Sequence, residues 1–79
     1  MKLWIGNIAP DTSDDEVRAL LQKYGGIEVS SIERVAEDGS RPAAILEVAT
    51  TTEMMFKITQ RLNGLYWKGR SLTVQSMNR

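Results

Sequence analysis

The chain has 79 residues, with ten Lys and Arg balanced by ten Asp and Glu, and with no Cys and no His. This length suits one small domain near the size where a single hydrophobic core becomes marginal, leaving little chain for a second domain or a deep catalytic cleft. Zero net charge argues against strongly basic, salt-driven binding to polyanions, and the absence of Cys and His removes disulfides, thiolate and imidazole metal sites and the most adaptable acid–base catalyst.

Lys2-Leu-Trp-Ile-Gly-Asn-Ile8 reads as a strand, ended by Pro10 and the polar run Asp11-Thr-Ser-Asp14. The apolar part of this N-terminus is short and interrupted by Gly6 and Asn7, so it is neither a signal peptide nor a membrane span, and a cytoplasmic protein with no membrane association is expected. A helix follows. Ser13 stands three residues before Glu16, as in a capping box, and Asp14, Asp15 and Glu16 suit a first turn that favours negative charge. Thr12 with Asp15 is the alternative cap. Val17, Leu20, Leu21 and Tyr24 fall at i, i+3, i+4 and i+7 on one apolar face, and Gly25-Gly26 stops the helix.

Ile27 to Val35 is rich in β-formers but interrupted by polar residues, so its register is open. Glu37-Asp-Gly-Ser40 reads as a hairpin turn. The run Arg41-Pro-Ala-Ala-Ile-Leu-Glu-Val48 is the returning strand, with Pro42 tolerable near its start. Period-two alternation groups Ala44, Leu46 and Val48 inward, and Arg41, Ala43, Ile45 and Glu47 outward. Thr50, Thr51 and Thr52 offer caps for a second helix in which Met55, Ile58 and Leu62 keep helical spacing, and Gly64 ends it. Leu65 to Gly69 forms a connection, and Arg70 to Met77 is a last strand with Leu72 and Val74 on one face.

The order strand, helix, strand, strand, helix, strand is the split βαβ pattern. It predicts an α+β, ferredoxin-like fold in one domain over residues 1–79: a four-stranded antiparallel sheet with both helices on one face and the other face bare. The charge adds a second expectation. Residues 1–50 hold five cations and nine acids, whereas residues 51–79 hold five cations and Glu53 alone, so a basic surface arises if the fold gathers the later cations.

In this setting the chain resembles an RNA recognition motif over essentially its whole length. Leu3-Trp-Ile-Gly-Asn-Ile8 is similar to the family's first-strand hexamer, aliphatic–aromatic–aliphatic–x–Asn–Leu. Leu62-Asn-Gly64 and Gly69-Arg70 resemble its passage from second helix to last strand. The third-strand octamer, Lys/Arg-Gly-aromatic-Gly/Ala-aromatic-Val-x-aromatic, is matched only at Arg41, Ala44 and the aliphatic Leu46. Pro42 replaces its glycine, and Ala43, Ile45 and Val48 replace its aromatics.

The resemblance implies single-stranded RNA lying across the bare sheet, with bases stacked on aromatics of the first and third strands. Trp4 falls on the first-strand stacking position. Ala43 and Ile45 fall on the two third-strand positions and cannot stack, which removes about 2–6 kcal/mol relative to a full platform, at about 1–3 kcal/mol per base. Arg41 and Lys2 are the expected basic contacts, and Gln75, with Thr73, faces outward to read base edges. Glu47 and, if Ile32 points inward, Glu33 oppose a phosphate chain. Weak binding to single-stranded RNA, and to single-stranded DNA in vitro, is the leading expectation. Its rival is a protein-interaction or homodimerisation domain using the same apolar face, with little or no RNA binding.

Other residues point to structure more than to chemistry. Successive carboxylates on a helix face different directions, so Asp14, Asp15 and Glu16 serve the helix N-terminus better than a metal. Ser30 and Ser31 have no His partner, and no Lys-Ser/Thr follows Gly25-Gly26 as a phosphate loop requires. No enzyme activity and no cofactor are expected. Trp67 is expected at the core's edge, together with Met54, Met55 and Ile58. Phe56, on the flank of the buried stripe, covers the core edge or marks a protein-contact patch.

Overall fold

The computed structural model describes residues 1–35 and 42–77, so the expected Glu37–Ser40 turn and Arg41 lie outside the described residues. Strands β1 (Lys2–Gly6), β2 (Val29–Val35), β3 (Ala43–Val48) and β6 (Thr73–Met77) form one sheet in the order β2-β3-β1-β6. All of its neighbours are antiparallel. Helices α1 (Asp14–Gly25) and α2 (Thr52–Leu62) both contribute to the core on one side of this sheet. This is the ferredoxin-like arrangement expected from the pattern, and it leaves the opposite face without a helix.

Alternation decides which side chains reach the core. Leu3 and Ile5 of β1, Ala44, Leu46 and Val48 of β3, and Val74 of β6 are essentially fully buried against Val17, Leu20 and Leu21 of α1 and Met55, Ile58 and Leu62 of α2. Strand β2 owes its polar-interrupted look to a bulge. Pairing shifts between Val29 and Ser31, so Ser30 is skipped and its hydroxyl donates to the Glu47 carbonyl at 3.0 Å. The extra residue changes the parity, which is how Val29 and Ile32, three apart, both pack on the core.

The helix ends follow their caps. The Ser13 hydroxyl accepts from the Glu16 N–H at 3.1 Å, and the Glu16 carboxylate accepts from the Ser13 N–H at 2.8 Å, completing the capping box. Thr12 is not the cap. It lies buried, and its carbonyl accepts from Arg34, whose guanidinium also grips Asp14 at 2.7 Å and so ties β2 to the start of α1. Gly26 closes α1 in the left-handed conformation that glycine adopts without strain. Thr51 caps α2. That helix ends at Leu62, before the expected Gly64, and the extended Asn63 turns its side chain to accept the Val74 N–H at 3.0 Å.

The stretch read as a plain connection is a small hairpin. Strands β4 (Tyr66–Trp67) and β5 (Arg70–Ser71) pair across Lys68-Gly69, and both turn residues have positive φ, as a tight two-residue turn requires. Lys68 adopts φ 53° while its ammonium is held by Glu16 at 2.9 Å and Asp11 at 3.5 Å. The Glu16 carboxyl sits below its ordinary value, chiefly through the Ser13 N–H and next through Lys68, whose own ammonium is correspondingly raised by Glu16. Trp67 packs half-buried at the core's edge, as expected. Met54 departs from its expected core-edge place and is 40% exposed, and Phe56 is 63% exposed.

Candidate nucleic-acid interface

The strand register lays the bare face out in three rows. Ser31, Glu47, Lys2 and Met77 form the first, and Glu33, Ile45, Trp4 and Gln75 the second. Continuing the β1–β3 register by one residue gives Val35, Ala43, Gly6 and Thr73 as the third. Lys2, Trp4, Ile45 and Gln75 are thus brought together as the sequence predicts, with Trp4 directly opposite both Ile45 and Gln75. Ile32 pairs with Leu46 on the core side, so Glu33 does share the outer face.

Trp4 does not stand away from the sheet. The outer edge of its six-membered ring occupies the space where a side chain on Gly6 would begin. The indole therefore lies back along its own strand, and only a residue without Cβ leaves room for it. The sequence shows position 6 as part of the first-strand hexamer and as an interruption of a short apolar run. Spacing alone carries no signal for its role as the seat of the ring.

Ala43 needs a correction. It lies on the helix-free face, as alternation demands, but it is fully buried between Val35 and the Gly6 position that the indole covers. A side chain this small cannot reach past its neighbours to a ligand. Ile45, in contrast, is half-buried and accessible beside Trp4. The two lost aromatic positions are therefore inequivalent.

Charge divides the face into halves. Glu33 and Glu47 lie on β2 and β3, while Lys2 and the neutral Gln75 and Thr73 lie on β1 and β6. The terminal ammonium of Met1 donates to the Glu47 carboxylate at 2.9 Å. That bond, with smaller help from Lys2, holds the Glu47 carboxyl below its ordinary value. Glu47 is thus partly neutralised where it meets Lys2. At the far end of β1, Asn7 takes the left-handed conformation, donates to the Ser71 carbonyl at 2.9 Å and receives Arg70, joining the end of β1 to the hairpin.

Among the described residues no group of His, Cys, Asp and Glu could hold a metal ion, and no helix is long and apolar enough to cross a membrane. The face instead offers one aromatic plane, a side-chain amide and an ammonium, which can stack a base, bond its edge and meet a phosphate.

A bare four-stranded sheet with an aromatic on its first strand defines an RNA-recognition class of domain, and the chain belongs to the RNA recognition motif family, whose pattern it matches over residues 3–73. Membership supports RNA binding and places the chain among recognition modules, not enzymes. It is similar to the polyadenylate-binding protein, cytoplasmic and nuclear, of Chaetomium globosum, with 35% identity over 72 residues. That match covers 91% of this chain and 9% of the relative, so the chain spans about a tenth of that protein's length. Among solved structures, the N-terminal three RNA binding domains of the yeast splicing factor Prp24 superpose with a TM-score of 0.81 at 29% identity, covering 99% of this chain and 33% of that one. The second such domain of yeast Prp24, bound to a fragment of U6 RNA, gives 0.70 at 29% identity, covering 99% and 91%.

Proposed function

We propose that residues 1–79 form a single RNA recognition domain that holds a short single-stranded RNA, weakly, over the β1–β6 half of the bare face. The observation that carries this reading is the indole of Trp4 laid on the sheet over Gly6, with Gln75 directly across the strand pair. A base stacks on the indole, Gln75 bonds its edge, and Lys2 meets a phosphate. Ile45 adds apolar contact, and Ala43 contributes none because it is enclosed. Arg41, outside the described residues, remains a proposed phosphate contact. One aromatic supplies about 1–3 kcal/mol, so affinity is low, and few engaged phosphates make its salt dependence shallow. The same contacts admit single-stranded DNA in vitro. A cytoplasmic location belongs to this reading.

A two-dimensional amide NMR titration with a pool of short single-stranded RNAs at low salt tests it. Shifts at Lys2, Trp4, Ile45 and Gln75, including the Trp4 indole N–H, are the expected result. The absence of shifts at near-millimolar RNA overturns it. A second reading draws on three half-buried apolar residues of the face: Ile45 beside Trp4, Met77 diagonal to it on β6, and Val35 one strand further away on β2. It makes the face a contact for another protein or a second copy, and a concentration-dependent dimer dissociated by Trp4→Ala in sedimentation identifies that case.

A further inference from the structure

We propose that the cleft between the C-terminal end of α1 and the outer side of α2 is a docking site for an acidic peptide segment of a partner protein. The cleft encloses about 320 Å³ on the helical side of the molecule, opposite Trp4. Met54 and Tyr24 give it apolar surface over the buried Ile58, and Lys23, Lys57 and Arg61 give it charge, with no Asp or Glu among its lining residues.

The cations of this cleft differ from three on the first helix, the second strand and the small hairpin. Arg18 meets Asp15, Arg34 meets Asp14, and Lys68 meets Asp11 and Glu16. Among the described residues neither Lys23 nor Lys57 is paired with a carboxylate, and Arg61 reaches only the Tyr24 carbonyl, at 3.3 Å. Among the described cations of the C-terminal part, Lys68 is held by Asp11 and the first turn of α1 and Arg70 reaches Asn7, whereas Lys57 and Arg61 join Lys23 across the helix pair.

Charge complementarity asks for an anionic occupant, and the floor selects which kind. A stacked nucleotide needs an open aromatic face, but the Lys23 ammonium lies over the Tyr24 ring, 5.5 Å from its centroid. Met54 is exposed, flexible and unbranched, and such a thioether adapts to an aliphatic side chain. A peptide with Asp or Glu on either side of one aliphatic residue satisfies both rim and floor. Because the cleft and the sheet lie on opposite sides, peptide and RNA can be held together, and this proposal stands independently of the RNA reading.

The test is an amide NMR titration of the labelled chain with a short Asp/Glu peptide carrying one central Leu, beside a Lys/Arg peptide with the same Leu. Saturable shifts confined to residues 22–26 and 54–61, given by the acidic peptide alone and weakened by salt, are expected. Lys57→Glu, an exposed change that leaves the dispersed spectrum intact, should weaken this binding roughly tenfold, since it replaces an attraction by a like-charge contact. The same variant should leave any RNA-induced shift of Trp4 unchanged. No saturable shift, an equal response to the basic peptide, shifts on the sheet, or shifts of the cleft by single-stranded RNA in place of the peptide would each overturn the proposal.

Discussion

Strands β1 and β3 lie side by side at the centre of the sheet and contribute alike to its inner face, yet they differ completely on the outer one. Inward, Leu3 and Ile5 face the same core as Ala44, Leu46 and Val48, and none of these is more than marginally exposed. Outward, β1 presents Lys2, Trp4 and Gly6, whereas β3 presents Ala43, Ile45 and Glu47. Alternation lets the two faces change separately, so a strand can lose its binding residues while keeping its packing residues. The fold of this domain and its capacity to stack bases are therefore set by different halves of the same two strands.

Substitutions on each face sharpen this contrast, and the largest effect is expected inward. Leu46→Ala removes a fully buried side chain and should cost about 2–5 kcal/mol, lowering the midpoint of thermal unfolding by about 10 °C or more. Trp4→Ala should leave the fold standing but reduce RNA affinity by about 1–3 kcal/mol, between roughly fivefold and a hundredfold, in a fluorescence or NMR titration. Ile45→Phe should recover a gain of comparable size, because position 45 is accessible beside Trp4. Ala43→Phe should give no gain, and equal gains from the two variants would break the distinction drawn between them. Gly6→Ala should push the indole off its seat, visible as a displaced Trp4 indole resonance and a smaller loss of affinity.

The smallest effect concerns the one charge on the outer face of β3. The Glu47 carboxyl is lowered in the folded chain by the terminal ammonium, so its stabilising contribution is full above the ordinary carboxyl value of 4.5 and is lost as pH falls through the lowered one. Urea denaturation across this acidic range should show a shallower pH dependence for Glu47→Gln than for the parent chain. Identical slopes would mean that the ion pair contributes nothing in solution, as many exposed pairs do.

The parts legible in the sequence were those with a period or a cap. Ser13 and Glu16 marked the start of α1 because a reciprocal cap needs that spacing, and Ala44, Leu46 and Val48 were placed inward because alternation and lack of charge agreed. The bulge at Ser30 was not legible, since one inserted residue cancels the alternation that would reveal it. Lys68-Gly69 hid its hairpin because lysine rarely occupies a left-handed turn position, and the carboxylates that hold it lie on a distant helix. The assignment of Trp4, Ile45, Lys2 and Gln75 to a binding site came from the resemblance, whereas their shared face followed from parity. The burial of Ala43 did not, because it depends on how far a neighbouring ring reaches along its own strand.

The contact between Asn63 and β6 bears on how such a chain behaves in a crowded solution. The Asn63 side chain takes the Val74 N–H, while Leu72 both donates to the Leu65 carbonyl and accepts from the Gly64 N–H. Residues 63–65 thereby lie along the outer side of the last strand like a short mock neighbour. A foreign strand approaching there finds its first rungs already taken, so the start of this edge of the sheet is guarded against pairing from chain to chain.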